Sequence, residues 1–81
     1  MTTARQQGIS AMECFIENIT HIIEARGISQ SELARRSGIS IPNMNRILRG
    51  KEGVTLERAE RIADALGKKL QDLLKIPANV A

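Results

Sequence analysis

Aromatic side chains are nearly missing: the 81 residues include one Phe and neither Tyr nor Trp. Proteins that hold RNA or single strands by stacking bases on aromatic platforms are therefore disfavoured. Cysteine occurs once, at Cys14. That excludes an internal disulfide and a cysteine-based zinc cluster, and within an apolar-periodic stretch a lone cysteine is a small buried hydrophobe. No apolar run approaches the roughly 18 residues that a membrane span needs. The opening MTTARQQG has no hydrophobic signal region, so a secretory signal is not expected. The expected location is the reducing cytoplasm, where the Asn18-Ile19-Thr20 triplet is an accident and not a glycosylation site. A chain this short buries only about 60–65% of the surface exposed when unfolded, which excludes a second domain and a large enclosed catalytic cavity. No Ser/His/Asp or Cys/His grouping, HExxH, phosphate-binding loop or carboxylate pair is apparent, so neither an enzyme nor a metal or cofactor is expected. His21 stands alone and reads as a surface or partly buried histidine.

Charge and apolar content are present, and their placement is informative. Apolar residues make up 42%, enough for a folded chain. The net charge is only +3. Between Arg26 and Lys51, however, six basic residues (Arg26, Arg35, Arg36, Arg46, Arg49, Lys51) meet a single acid, Glu32, for a local charge of +5. The remainder carries six basic and eight acidic residues. A basic middle in a mildly acidic frame fits one polyanion-facing surface.

The order of caps and apolar stripes divides the chain into five helices. Residues 1–9 form a polar arm, 10–76 the folded domain and 77–81 a tail. Ser10-Ala11-Met12-Glu13 is a capping box, followed by Phe15, Ile16, Ile19, Ile22 and Ile23 at helical spacing and by Gly27 as terminator. A second box, Ser29-Gln30-Ser31-Glu32, opens a short helix with Leu33 and Ala34 inward and Arg35 and Arg36 outward. After Gly38 and Ile39, Ser40 can cap a third helix running to about Arg49. Thr55 then caps a fourth stripe of Leu56, Ala59, Ile62, Ala63 and Leu66, and Leu70, Leu73 and Leu74 form a last short helix before Pro77. Glu57, Glu60 and Asp64 along the fourth helix read as a solvated face paired with Arg58 or Arg61. Nothing alternates with a period of two long enough for a strand, so the fold class is all-α.

The second and third helices, joined at Ser37-Gly38-Ile39, make a helix-turn-helix. Met44, Ile47 and Leu48 face inward; Pro42, Asn45, Arg46 and Arg49 face out, with Ile41 at the edge. Amide, guanidinium and apolar groups are what read base edges in the major groove. From Ile19 to Leu74 the sequence resembles the phage-repressor class of helix-turn-helix proteins, the Cro and xenobiotic-response-element family. The resemblance is carried by Gly27-Ile28-Ser29-Gln30-Ser31-Glu32-Leu33-Ala34, by Ser37-Gly38-Ile39-Ser40, by Arg46-Ile47 and Arg49-Gly50-Lys51, and by the block from Leu56 to Gly67.

This resemblance implies a five-helix lambda-repressor-like domain that binds double-stranded DNA. By position it assigns base reading to Ile41, Pro42, Asn43, Asn45 and Arg46. It assigns phosphate contact to Gln30, which also props a recognition residue, and to Arg49 and Lys51. Ser29 and Ser40 lie near helix N-termini, where free amides favour phosphate, and Arg35 is a further phosphate candidate. Ile41 and Pro42 depart from the polar or basic residues usual there. Two arrangements stay open: Ile41 on the reading face, or Pro42 in the first helical position with Ile41 as the cap. The expected function is a sequence-specific transcriptional repressor acting as a homodimer on a palindromic operator. The expected dimer surface is Leu73, Leu74, Ile76 and Val80, with Met12 and Cys14 of the first helix as the competing surface. The alternative is a partner-binding module such as the antitoxin of a toxin–antitoxin pair.

Overall fold

Caps set the helix boundaries. The computed structural model describes residues 10–76, and among them the chain forms five helices and no strand. Helix α1 spans Ala11–Arg26, α2 Gln30–Ser37, α3 Ile41–Leu48, α4 Leu56–Ala65 and α5 Leu70–Leu73. The arm 1–9 and the tail 77–81, with Pro77 and Val80, lie outside the described residues. The Ser10 box is complete: the Glu13 amide donates to Ser10 Oγ at 3.1 Å, and the Ser10 amide donates to Glu13 Oε1 at 2.9 Å. The expected second box forms only by half. Ser29 Oγ accepts the Glu32 amide at 3.0 Å, but the Glu32 carboxylate turns to Arg35 and Arg36 and not back to the Ser29 amide. Two cationic partners outcompete one neutral N–H.

The turn of the helix-turn-helix is closed by Gly38 at φ 70°. There the Gly38 amide bonds Arg35 O and the Ile39 amide bonds Ala34 O at 3.0 Å. This paired closure needs a left-handed residue, which costs any side-chain-bearing residue about 1 kcal/mol or more. It also drives Ile39, 6% exposed, into the core.

Helix α2 lies at the centre, packed on both α3 and α4, while α5 is held by α1 and α4. Phe15, Ile19, Leu33, Met44, Ile47, Ile62, Leu66 and Leu73 are the largest fully buried side chains. Each contributes roughly 1.5–3 kcal/mol of apolar burial. Cys14 and Ala34 are buried as expected, whereas Ile16, Ile22 and Leu48 are half-buried. Two apolar positions depart from expectation. Leu56 is 70% exposed and does not join the core, because it opens α4 before the packed turns begin. Leu73 is buried between the helices, so it is core and not surface.

Side-chain bonds over long sequence distances complete the domain. Asn18 Nδ2 donates to Leu73 O and to Lys75 O, both at 2.8 Å. Arg26 donates to Leu66 O at 2.9 Å, tying the end of α1 to the end of α4. Helix α5 needs such help, since its first turn has no side-chain cap. The Asn18 amide is thus a clamp on α5, which gives the accidental triplet a structural role. Ser37 is the one buried polar side chain of the core, and its hydroxyl oxygen has no hydrogen-bond partner among the described residues.

Candidate nucleic-acid interface

Helix α3 begins at Ile41, capped by Ser40, whose Oγ accepts the Asn43 amide at 3.2 Å. Pro42 stands in the second helical position, where its missing N–H costs no intrahelical bond. The alternative in which Ile41 caps the helix is therefore corrected: serine offers an acceptor oxygen that isoleucine lacks, and Ile41 forms part of the first turn. Its side chain is 48% exposed, so an apolar group stands at the tip of the helix beside exposed Pro42.

One turn further along, the polar groups are tied together. Asn45 Nδ2 donates to Gln30 Oε1 at 3.2 Å, joining α3 to the start of α2. Gln30 thereby orients a neighbour on α3. Arg46 Nε donates to Glu52 Oε1 at 2.9 Å, and its Nη2 donates to Asn43 Oδ1 at 2.6 Å. The other Glu52 oxygen lies 3.8 Å from Arg58 Nη1 in α4. Asn43 and Arg46, both expected to read bases, thus form one hydrogen-bonded unit.

The loop after α3 folds back because Gly50 is left-handed at φ 73°. The Lys51 amide then reaches Arg46 O at 2.9 Å. This reversal brings Glu52 beside Arg46 and leaves Arg49 and Lys51 exposed at the edge. Ser29 and Ser40 use their oxygens as caps. Arg35 sits apart. Five residues after Gln30, it points about 140° further around α2, and it lines a shallow pocket with Arg61 and Asp64 of α4.

Electrostatics on α2 are dominated by Glu32. The hydrogen bond from Arg36 Nε at 2.9 Å and the charge of Arg35 hold its carboxyl below the usual carboxylate range. At neutral pH these arginines are therefore partly neutralised. The +5 read from the sequence already counts Glu32, and α2 itself carries +1 of it.

At the other end of the domain, Leu74 lines an apolar groove of about 390 Å³ together with Met12, Val54, Leu56 and Leu70. The two expected dimer surfaces meet here, since Met12 comes from α1 and Leu74 follows α5. Cys14 is buried and takes no part. Ile76 is 66% exposed, and Val80 lies outside the described residues.

Sequence reasoning missed Glu52, Arg58 and Asn18. For Asn18 a signal existed, because an asparagine on a largely apolar helix face must find partners. For Glu52 none did, because its approach depends on the path of the Gly50 reversal. Among the described residues, no cluster of His, Cys, Asp and Glu could hold a metal, and no helix is long and apolar enough to cross a membrane.

Comparison with known proteins bears on the same region. The family model of the Cro/C1-type HTH DNA-binding domain matches residues 18–79. Among curated proteins, no sequence matches the chain. Among solved structures, the clp gene regulator ClgR from Corynebacterium glutamicum is similar, with a TM-score of 0.73 at 24% identity over 82% of this chain and 70% of that one. At that identity the likeness establishes the fold.

Proposed function

Given that the chain belongs to the Cro/C1-type helix-turn-helix DNA-binding family, we propose that it is a transcriptional repressor that lays α3 in the major groove of a palindromic operator. The single observation that carries this reading is the hydrogen-bonded polar face of Gln30, Asn43, Asn45 and Arg46 on the helix pair α2 and α3. Groups held in place lose little freedom when they meet base edges. Arg46 supplies the donors that guanine accepts, Asn45 donates to adenine N7 and accepts from its N6 amino group, and Ile41 and Pro42 meet a thymine methyl. Exposed Arg49 and Lys51, with Gln30, Ser29 and Ser40 at the two helix N-termini, contact phosphates and fix the register. Arg35 is at most a distant phosphate contact, given its place beside α4.

A single domain of this size buries too little surface for tight specific binding. A homodimer formed on the groove lined by Met12, Leu56 and Leu74 would set two copies of α3 on half-sites about 34 Å apart. Selection from a random duplex pool tests the whole reading. The expected product is an inverted repeat with one helical turn between half-site centres. Affinity should also fall steeply with salt, in proportion to the phosphates neutralised. Recovery of no preferred duplex refutes sequence-specific binding.

The same groove favours a second reading, in which a partner protein such as a toxin occupies it. Sedimentation separates the two: a monomer at DNA-binding concentrations, without cooperativity, favours the partner.

A further inference from the structure

We propose that Glu52 is a specificity-determining positioning residue, which holds Arg46 so that its terminal nitrogens are presented to a guanine. The proposal rests on the reading of α3 as the recognition helix.

An arginine guanidinium has five N–H donors. Glu52 accepts the one on Nε at 2.9 Å, and Asn43 accepts one of the two on Nη2 at 2.6 Å. One hydrogen on Nη2 and both on Nη1 remain. These two nitrogens are the adjacent donor pair that fits guanine O6 and N7. The acceptors engage Nε and Nη2 and leave both Nη1 hydrogens and one on Nη2 for a base. Held on one side only, the side chain would sample many rotamers; held by acceptors from the helix and from the loop, it keeps one direction. Ordering that precedes binding removes its cost from the complex.

Glu52 is itself held. Its second oxygen lies 3.8 Å from Arg58 Nη1, and the carboxylate is about two-thirds shielded from solvent. A carboxylate beside the phosphate surface also works against indiscriminate binding. Its negative charge repels phosphate oxygens that approach Arg46, whereas guanine O6 and N7 carry no net charge. Glu52 thus weakens binding to any duplex and favours the one with a guanine in register.

The test uses the full chain and measures affinity for its best selected duplex and for a scrambled duplex at one salt concentration. Glu52→Ala should bind the scrambled duplex more tightly and lower the ratio of the two affinities about tenfold. In an Arg46→Gln background the same substitution should leave the ratio unchanged. In the free protein, the Arg46 Nε–H signal in nuclear magnetic resonance should exchange with water several-fold faster in Glu52→Ala. Equal melting curves establish that folding is intact, as expected for a loop residue. A ratio within twofold of wild type, or an equal fall in the Arg46→Gln background, overturns the proposal. If the wild-type protein prefers no duplex at all, the DNA-reading function falls with it. A wild-type preference that survives Glu52→Ala sinks the role of Glu52 alone.

Discussion

Replacing Asn18 tests how the C-terminal end of the domain is held. The Asn18 amide donates two hydrogen bonds of 2.8 Å, a part-buried one to Leu73 O and an exposed one to Lys75 O. A typical intramolecular hydrogen bond contributes about 0.5–1.5 kcal/mol net, and a buried carbonyl left without a donor costs about 1–3 kcal/mol. Water can replace the donor at Lys75 O but less easily at Leu73 O. Asn18→Ala should therefore destabilise the domain by about 1.5–2.5 kcal/mol. Against a total of about 5–8 kcal/mol for a domain this small, that is a large share. The assay is urea unfolding followed by circular dichroism, combined with amide exchange at Leu73 and Leu74. Exchange there should accelerate more than at Leu33 in the centre of the core, because α5 detaches first. Asn18→Asp adds a sign. An aspartate facing two carbonyls has its folded-state pKa raised; protonated, it still donates one O–H, so the damage is smallest below the unfolded carboxyl value and grows as pH rises through the folded one. A loss below about 0.5 kcal/mol for Asn18→Ala, or Asn18→Asp more stable at pH 7 than at pH 3 relative to wild type, would refute the clamp.

Three further outcomes are expected. Ser37→Ala should be neutral or raise stability by up to about 1 kcal/mol, because its buried hydroxyl has no partner among the described residues; a loss above about 1 kcal/mol in thermal melts would show that the oxygen is bonded after all. The Glu32 carboxyl titrates below its usual range because Arg36 donates to it and Arg35 stands beside it. Its contribution to stability is present above the unfolded carboxyl pKa and fades as pH falls through the folded value. Arg36→Gln should move its titration upward in a nuclear magnetic resonance series, and an unmoved midpoint would break the assignment. Gln30→Ala and Asn45→Ala should be non-additive in operator affinity, with a coupling of about 0.5–2 kcal/mol; additive losses would mean that the bond between them is not made on DNA.

The helices were legible in the sequence because their ends are written locally. Ser10, Ser29, Ser40 and Thr55 each cap a helix, and in each case the side chain takes the amide three residues on. Buried Leu33, Ile39, Met44 and Ile47 likewise followed from helical spacing and from the turn at Gly38. Illegible were the places where the outcome depends on which distant group arrives first. Glu32 had a local amide within reach and two arginines on the next turn, and the charges won. Leu56 has the right type for the core, but it lines the open groove and stays 70% exposed. Leu73 and Leu74 are chemically alike, and only the placement of α5 decides that one is core and the other lines the groove. Ile41, Pro42, Asn43, Asn45 and Arg46 were read as neighbours on one helix, and α3 carries all five. Their bonds through Gln30 and Glu52 required the path of two loops.

The bond between Gln30 and Asn45 has a consequence for how such a protein could change its target. On the reading of α3 proposed above, one residue belongs to the helix that positions and the other to the helix that reads, so neither is free to vary alone. A substitution at Asn45 that suits a new base leaves Gln30 without its donor. A substitution at Gln30 releases Asn45 from the orientation that suits the old base. Routes to a new operator through this pair therefore pass through an intermediate that reads both sites poorly. A gene copy relieved of its original duty could cross that gap, whereas a regulator still in service would be held at its present sequence.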